Sequence, residues 1–368
     1  MKSVKASLLM LVVLAAVPRA FSQYNFSSWK ADDGLPQNSV YAILQTRDGY
    51  LWFTTLDGLV RFDGVSFRSF SKSNTRQLKS NRFNSLLEDA RGDLWIGTDD
   101  GGVARYHAGE FFTYTTQEGL PHNAIDGLLR DKDGLALVVT RSGMVRWNGD
   151  RFVGVSLPAS VAYNHSNGAI TTAGGGVFWY AGRDAIQNFS ESQLISSQSY
   201  HGTSVDCLYE DSQHNLWLGT VGSGLIGLKD GRLTTYDVKD GLPSPNVTAL
   251  FEDRDHNLWI GTRAGLCLFK DGRFTNYTKA EGLSGDYVRT IYQDREGNLW
   301  VGTDNQGINR LSRRAVNFYS SKEGLLGEIF YPIFQDHRGA IWIGGRDGRL
   351  THYLNGVFTV AIQPRRAF

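Results

Sequence analysis

Residues 253–274 read DRDHNLWIGTRAGLCLFKDGRF, and the chain restates them in nearly the same words as DREGNLWVGTDNQGINRL (294–311) and DARGDLWIGTDDGGVARY (89–106). The shared phrase is D-x-x-G-N-L-W-x-G-T-x-x-G-L. Its tryptophans fall at Trp52, Trp95, Trp179, Trp217, Trp259, Trp300 and Trp342. Leu137, in DKDGLALVVTRSG (131–143), stands where one more is due. With it, the spacings are 43, 42, 42, 38, 42, 41 and 42. That makes eight repeats, with a weak third and a degenerate fourth, GGGVFWYAGRDAIQNF (174–189). A period near 42 marks a repeat architecture.

Local pattern decides which one. Each repeat holds four short runs, such as VTALFE (247–252), LWIGT (258–262), LCLFK (266–270) and RFTNYT (273–278). They are rich in aliphatic and aromatic residues and are separated by turn clusters. Four antiparallel strands per unit, repeated radially, make a β-propeller blade, so the fold class is all-β. D-x-x-G-N predicts the hairpin from strand a to strand b. L-W-x-G-T predicts strand b, its tryptophan wedged between blades. D-G predicts a type I′ turn from c to d. G-L-P (34–36, 119–121, 241–243) predicts the end of the crossover to the next blade. His214 and His256 occupy the glycine slot of the a–b turn, where left-handed backbone, not catalysis, explains them.

FSSWKADDGLP (26–36) matches FTNYTKAEGLS (274–284), so the chain enters in strand-d phase. Its first strand is expected to complete the blade of Trp300 and close a ring of seven blades over residues 23–313. The next c–d turn, LSRRAV (311–316), has no glycine. Residues 314–368 then read as the first blade of an incomplete second propeller. The alternative is the eighth blade of a single eight-bladed ring.

The N-terminus carries Lys2 and Lys5, the apolar run ASLLMLVVLAAV (6–17) and the small-residue site AFS (20–22). These predict a signal peptide over 1–22 and export to the periplasm or beyond. No later apolar run is long enough for a membrane span. Lys and Arg number 38 against 37 Asp and Glu, which leaves no net field for nucleic acid. Cys207 and Cys267 fall at different phases of the repeat and are expected as two buried thiols.

Catalytic and metal-binding motifs are missing: there is no H-E-x-x-H, G-x-S-x-G, P-loop or C-x-x-C. DRDHN opens like a calcium loop, but its twelfth position is Ala264. No cofactor, metal or catalytic residue is expected. The position after G-T is more informative. Blade by blade it holds Leu56, Asp99, Arg141, Arg183, Val221, Arg263, Asp304 and Arg346. Four arginines and two aspartates predict a polar channel mouth biased to positive charge, suited to carboxylate or sulfate groups. The competing expectation is that these residues pair across blades or splay into solvent. The divergent stretch VAYNHSNGAITTAGGG (161–176) adds Tyr163, Asn164 and His165. Candidate ligand-binding residues are therefore Asp99, Arg141, Tyr163, Asn164, Arg183, Arg263 and Asp304.

The stretch DGLPQNSVYAILQTRDGYLWFTTLDGLVRFDGVSF (33–67) closely resembles the two-component regulator propeller repeat, and the resemblance extends over 26–361. It implies the periplasmic sensor region of a hybrid histidine kinase or diguanylate cyclase, with an oligosaccharide or other small ligand. Two tandem propellers, an immunoglobulin-like domain, a membrane helix and an output module are usual there. This sequence contains none of the last three, so kinase or cyclase activity would lie elsewhere and this chain is expected not to be an enzyme. The rival readings are a propeller lyase or glycosidase and a protein-interaction scaffold.

Overall fold

The computed structural model describes residues 24–161, 168–182, 184–200, 202–313, 324, 325, 327, 329–354 and 357–362. The expected signal peptide lies outside them. The described chain forms eight antiparallel sheets of four strands each. It divides into two compact units, Tyr24–Arg313 and the remainder.

Seven sheets make up the first unit. Six follow in chain order over 42–70, 83–114, 125–155, 169–199, 205–236 and 247–277. The seventh takes Val288–Gln293, Leu299–Thr303 and Ile308–Arg313, and its outer strand is Tyr24–Trp29 from the other end of the chain. Tyr24 pairs with Arg313 and Trp29 with Ile308. The innermost strands touch in a closed cycle. Ala42–Gln45 meets Phe83–Glu88, then follow Ile125–Arg130, Ala169–Gly174, Val205–Glu210, Val247–Glu252 and Val288–Gln293, which returns to Ala42–Gln45. Each sheet keeps two edges, an innermost strand shielded by the ring of neighbouring blades and a short outer strand. The second unit contains one sheet, in the order Phe330–Gln335, Ile341–Gly345, Leu350–Leu354, Val357–Ile362.

Each letter of the repeated phrase has a mechanical reason. The aspartate closes the a–b turn. Asp253 takes the N–H groups of Asp255 and Asn257 on Oδ1, and the Trp259 indole N–H on Oδ2 at 2.8 Å. The same indole bond ties Trp95 to Asp89, Trp217 to Asp211, Trp300 to Asp294 and Trp342 to Asp336. In the first blade Thr46 replaces the aspartate and still accepts from Trp52. In the third, where Leu137 replaces the tryptophan, Arg146 pairs with Asp131 at 2.6 Å. His214 and His256 have φ of 62° and 59°, the backbone that glycine supplies in the other turns.

The tryptophan packs toward the next blade. Trp259 is 1 % exposed and lies with Leu283, Val288 and Leu299. The glycine after it is a close approach between blades. A Cβ on Gly261 would come 2.7 Å from the Val288 side chain. The threonine closes the b–c turn, Thr262 donating to the Gly265 carbonyl at 2.8 Å. The c–d pairs Asp230-Gly231 and Asp271-Gly272 have positive φ at both residues, as a type I′ turn requires.

Candidate functional site

The b–c loops meet the innermost strands at one end of the ring. The backbone N–H after G-T donates to the residue that leads into strand a of the same blade. Asp99 donates to Arg82, Arg141 to Ala124, Val221 to Ser204, Arg263 to Asn246 and Asp304 to Tyr287. This bond holds each slot residue beside the entry of an innermost strand. Arg346 makes the same bond, to Ile329, but in the other unit.

A second ring of positions lies next to the first. In five blades strand a slips register against strand b just past its first residue, between Phe83 and Ser85, Ile125 and Gly127, Val205 and Cys207, Val247 and Ala249, and Val288 and Thr290. Each slip is a bulge that leaves one extra residue, which re-aims its side chain. The extra residues are Asn84, Asp126, Asp206, Thr248 and Arg289, and Tyr41 is the counterpart in the first blade. Their contacts run from blade to blade. Asn84 donates to the Ile125 carbonyl at 2.8 Å and Thr248 to the Val288 carbonyl. Arg289 of the seventh blade lies 4.6 Å over the Tyr41 ring of the first.

The slot residues pair mostly with this inner ring or its neighbours, within their own blade. Asp99 accepts from Arg82 at 3.0 Å and from Asn84 at 3.0 Å. Asp304 accepts from Arg289 at 2.9 Å and from Ser39 of the first blade's entry at 3.1 Å. Arg141 stands 3.8 Å from Asp126. Arg263 is different: it forms no salt bridge among the described residues. Its guanidinium lies 5.6 Å over the Tyr287 ring, which Arg289 also covers at 4.7 Å.

Electrostatics follow from this crowding. Asp206 is reached by solvent yet walled by neighbouring blades. Loss of bulk water raises its pKa, against the pull of Arg263 and Arg289. Arg289 lies two blades away from Asp206, and its charge still acts to lower the Asp206 pKa. Burial is the largest single influence on Arg289 and works against its charge, but the Asp304 hydrogen bond, Tyr287, Tyr41 and the Asp304 charge together outweigh it and the pKa is raised. Burial likewise raises the Tyr41 hydroxyl.

The structure therefore brings Asp99, Arg141, Arg263 and Asp304 to one mouth. Tyr163, Asn164, His165 and Arg183 lie outside the described residues. The expected positive bias does not hold among the described residues, because strand a contributes acids that the slot pattern ignored. Arg82, Arg141, Arg263 and Arg289 face Asp99, Asp126, Asp206 and Asp304. The expected pairing across blades is found within blades instead. What sequence reading missed is the bulge ring. In NSVYAI, NRFNSL, NAIDGL, TSVDCL, PNVTAL and DYVRTI, the residue after the Val, Phe or Ile varies, but so does the residue before it, so the letters alone do not single it out.

Cys207 and Cys267 are unpaired thiols, and burial raises both pKa values, that of Cys267 to about 12. Among the described residues no cluster of His, Cys, Asp and Glu could hold a metal ion. No helix among them is long and apolar enough to cross a membrane.

Five stretches match the family described as two component regulator propeller: 34–57, 77–100, 199–222, 241–264 and 282–305. No curated protein matches the chain. Among solved structures it is similar to the extracellular domain of a proposed hybrid two component system from B. thetaiotaomicron, with 24% identity and a TM-score of 0.71. That match covers 91% of this chain and 49% of the other, so the chain spans about half the length of that domain. Virginiamycin B lyase from Staphylococcus aureus shares the fold at 14% identity and a TM-score of 0.62, over 78% of this chain and 99% of the lyase. PorZ, a surface component of the type-IX secretion system of Porphyromonas gingivalis, shares it at 13% identity and 0.60, over 89% and 59%. Five of its repeats are therefore two component regulator propeller repeats, placed between residues 34 and 305.

Proposed function

We propose that the ring is the ligand-sensing part of an exported bacterial signalling receptor, and that its mouth binds an acidic oligosaccharide without turning it over. One observation carries this reading. Arg82, Arg141 and Arg289 each have a carboxylate partner, whereas Arg263 has none within salt-bridge distance among the described residues. A guanidinium held over an aromatic ring, with its fork open, suits the carboxylate of a uronic acid or a sulfate ester. Tyr41, Tyr287 and Thr248 add ring faces and hydroxyls of the kind that orient a sugar. The five matched repeats support the sensing role, with a kinase or cyclase module as the output partner.

The test is a panel of acidic and neutral oligosaccharides offered to the purified mature chain, with bound glycan and newly formed reducing ends measured together. Retention of acidic glycans without new ends supports sensing. Release of new ends replaces it with a lyase or glycosidase. Binding of no glycan leaves the scaffold reading.

A further inference from the structure

Strand c faces strand b residue for residue, and the residue opposite the tryptophan lies beside its indole. In three blades that residue is arginine: Arg61 opposite Trp52, Arg105 opposite Trp95 and Arg310 opposite Trp300. Their guanidinium carbons lie 5.9, 5.9 and 6.0 Å from the indole rings. In the sixth blade Leu268 stands opposite Trp259. All four tryptophans are at most 2 % exposed.

The fifth blade breaks the pattern. Gly227 faces Trp217, and Trp217 is only partly buried. The indole rests directly on the glycine, where a Cβ would meet it at 2.9 Å. A groove of about 530 Å³ opens between the fifth and sixth blades at this place. Trp217, Tyr236 and Phe269 wall it. Its lining carries Asp211, Glu252, Asp255 and Asp271 against Lys229 and Lys270, an excess of acid.

We propose that this groove receives a guanidinium group, the side chain of an arginine presented by a protein partner. The molecule supplies the precedent, since in three other blades the arginine opposite the tryptophan lies within 6.0 Å of its indole and closer still to a second ring, that of Tyr50, Trp147 or Trp29. The rim supplies a second one, because Asp255 already holds the Arg313 guanidinium. A planar cation is favoured over a compact one. A guanidinium can lie flat on the indole and still reach a carboxylate with its edge, which an ammonium cannot do. The site uses no residue of the mouth and does not rest on the sensing reading.

The full chain would be titrated with an end-capped Gly-Arg-Gly peptide, its Gly-Lys-Gly counterpart and agmatine, following the indole N–H signals by NMR. The arginine peptide should shift one indole signal and saturate in the millimolar range, at least tenfold tighter than the lysine peptide. Gly227→Leu, which places a leucine as in the sixth blade, should weaken it tenfold or more. Should that variant fail to fold, Lys229→Glu with Lys270→Glu on the exposed rim should tighten binding severalfold. Equal binding of both peptides, undiminished binding by folded Gly227→Leu, or no tightening by the rim pair would overturn the site. Agmatine binding as tightly as the peptide would overturn the assignment to a protein partner.

Discussion

The indole of Trp29 stacks on that of Trp300, with centroids 5.4 Å apart and planes 22° from parallel. The two residues come from opposite ends of the ring and meet because the first strand of the chain completes the last blade. On the adjoining seam, the Arg295 N–H donates to Gln45 at 2.8 Å, and its guanidinium reaches the Thr46 and Arg47 carbonyls. Closure therefore rests on a strand, an aromatic stack and a clasp. Trp29→Ala removes the stack, and we expect a loss of about 2 to 3 kcal/mol. Deleting Tyr24–Trp29 should end cooperative unfolding of the ring. Urea titrations followed by tryptophan fluorescence check both, and an unchanged midpoint for the deletion would contradict closure by this strand.

Gly261 is tested on its own. Its Cα lies where strand b of the sixth blade nearly touches Val288 and Ala249, so an added methyl has nowhere to go. Gly261→Ala should cost about 1 to 3 kcal/mol through overpacking. Gly272→Ala, in an open turn at positive φ, reports backbone strain alone. Thermal midpoints of the two variants separate close packing from turn conformation.

Asp206 gives the protein a pH signature. Its raised pKa means that the folded chain keeps this proton at pH values where the unfolded chain has lost it. The stabilisation is full below the ordinary carboxylate range and falls as pH rises through the raised value. Asp206→Asn does not ionise. Its stability relative to the natural chain should grow as pH rises from about 4 toward neutrality. Urea midpoints at several pH values show this, and a difference that shrinks over that range would mean that Asp206 is stabilised as the anion.

The two cysteines should be silent in the native state. Burial holds both thiols far from the thiolate that reacts. A disulfide-exchange reagent at pH 8 should label neither, and should label both once the protein is unfolded in urea. Labelling of the native protein at Cys207 would show that its strand opens locally.

Much of the fold was legible because the repeat writes its turns in residue types that have few substitutes. The strands expected at 247–252, 258–262, 266–270 and 273–278 are found at Val247–Glu252, Leu258–Thr262, Gly265–Lys270 and Arg273–Tyr277. The slot after G-T was legible for the same reason: it follows a fixed turn. The bulge residues were not, because a bulge is a slip in pairing between two strands and no residue type announces it. Asn84, Asp206, Thr248 and Arg289 share a place but no chemistry. The groove at Trp217 was also hidden, since it depends on Gly227 ten residues later failing to cover a ring. Sequence reading sees glycine there as ordinary, and only the cross-strand register gives it meaning.

The proposed role of Arg263 is to be the open arm of an anion-recognising mouth. Its most direct test is calorimetric titration of the natural chain, Arg263→Ala and Arg263→Lys with an acidic oligosaccharide and its neutral analogue. We predict that the natural chain prefers the acidic ligand, that Arg263→Ala loses at least tenfold in affinity for it, and that Arg263→Lys restores only part. Affinity for the neutral analogue should hardly change. Equal affinity of the natural chain and Arg263→Ala for the acidic ligand would contradict the account.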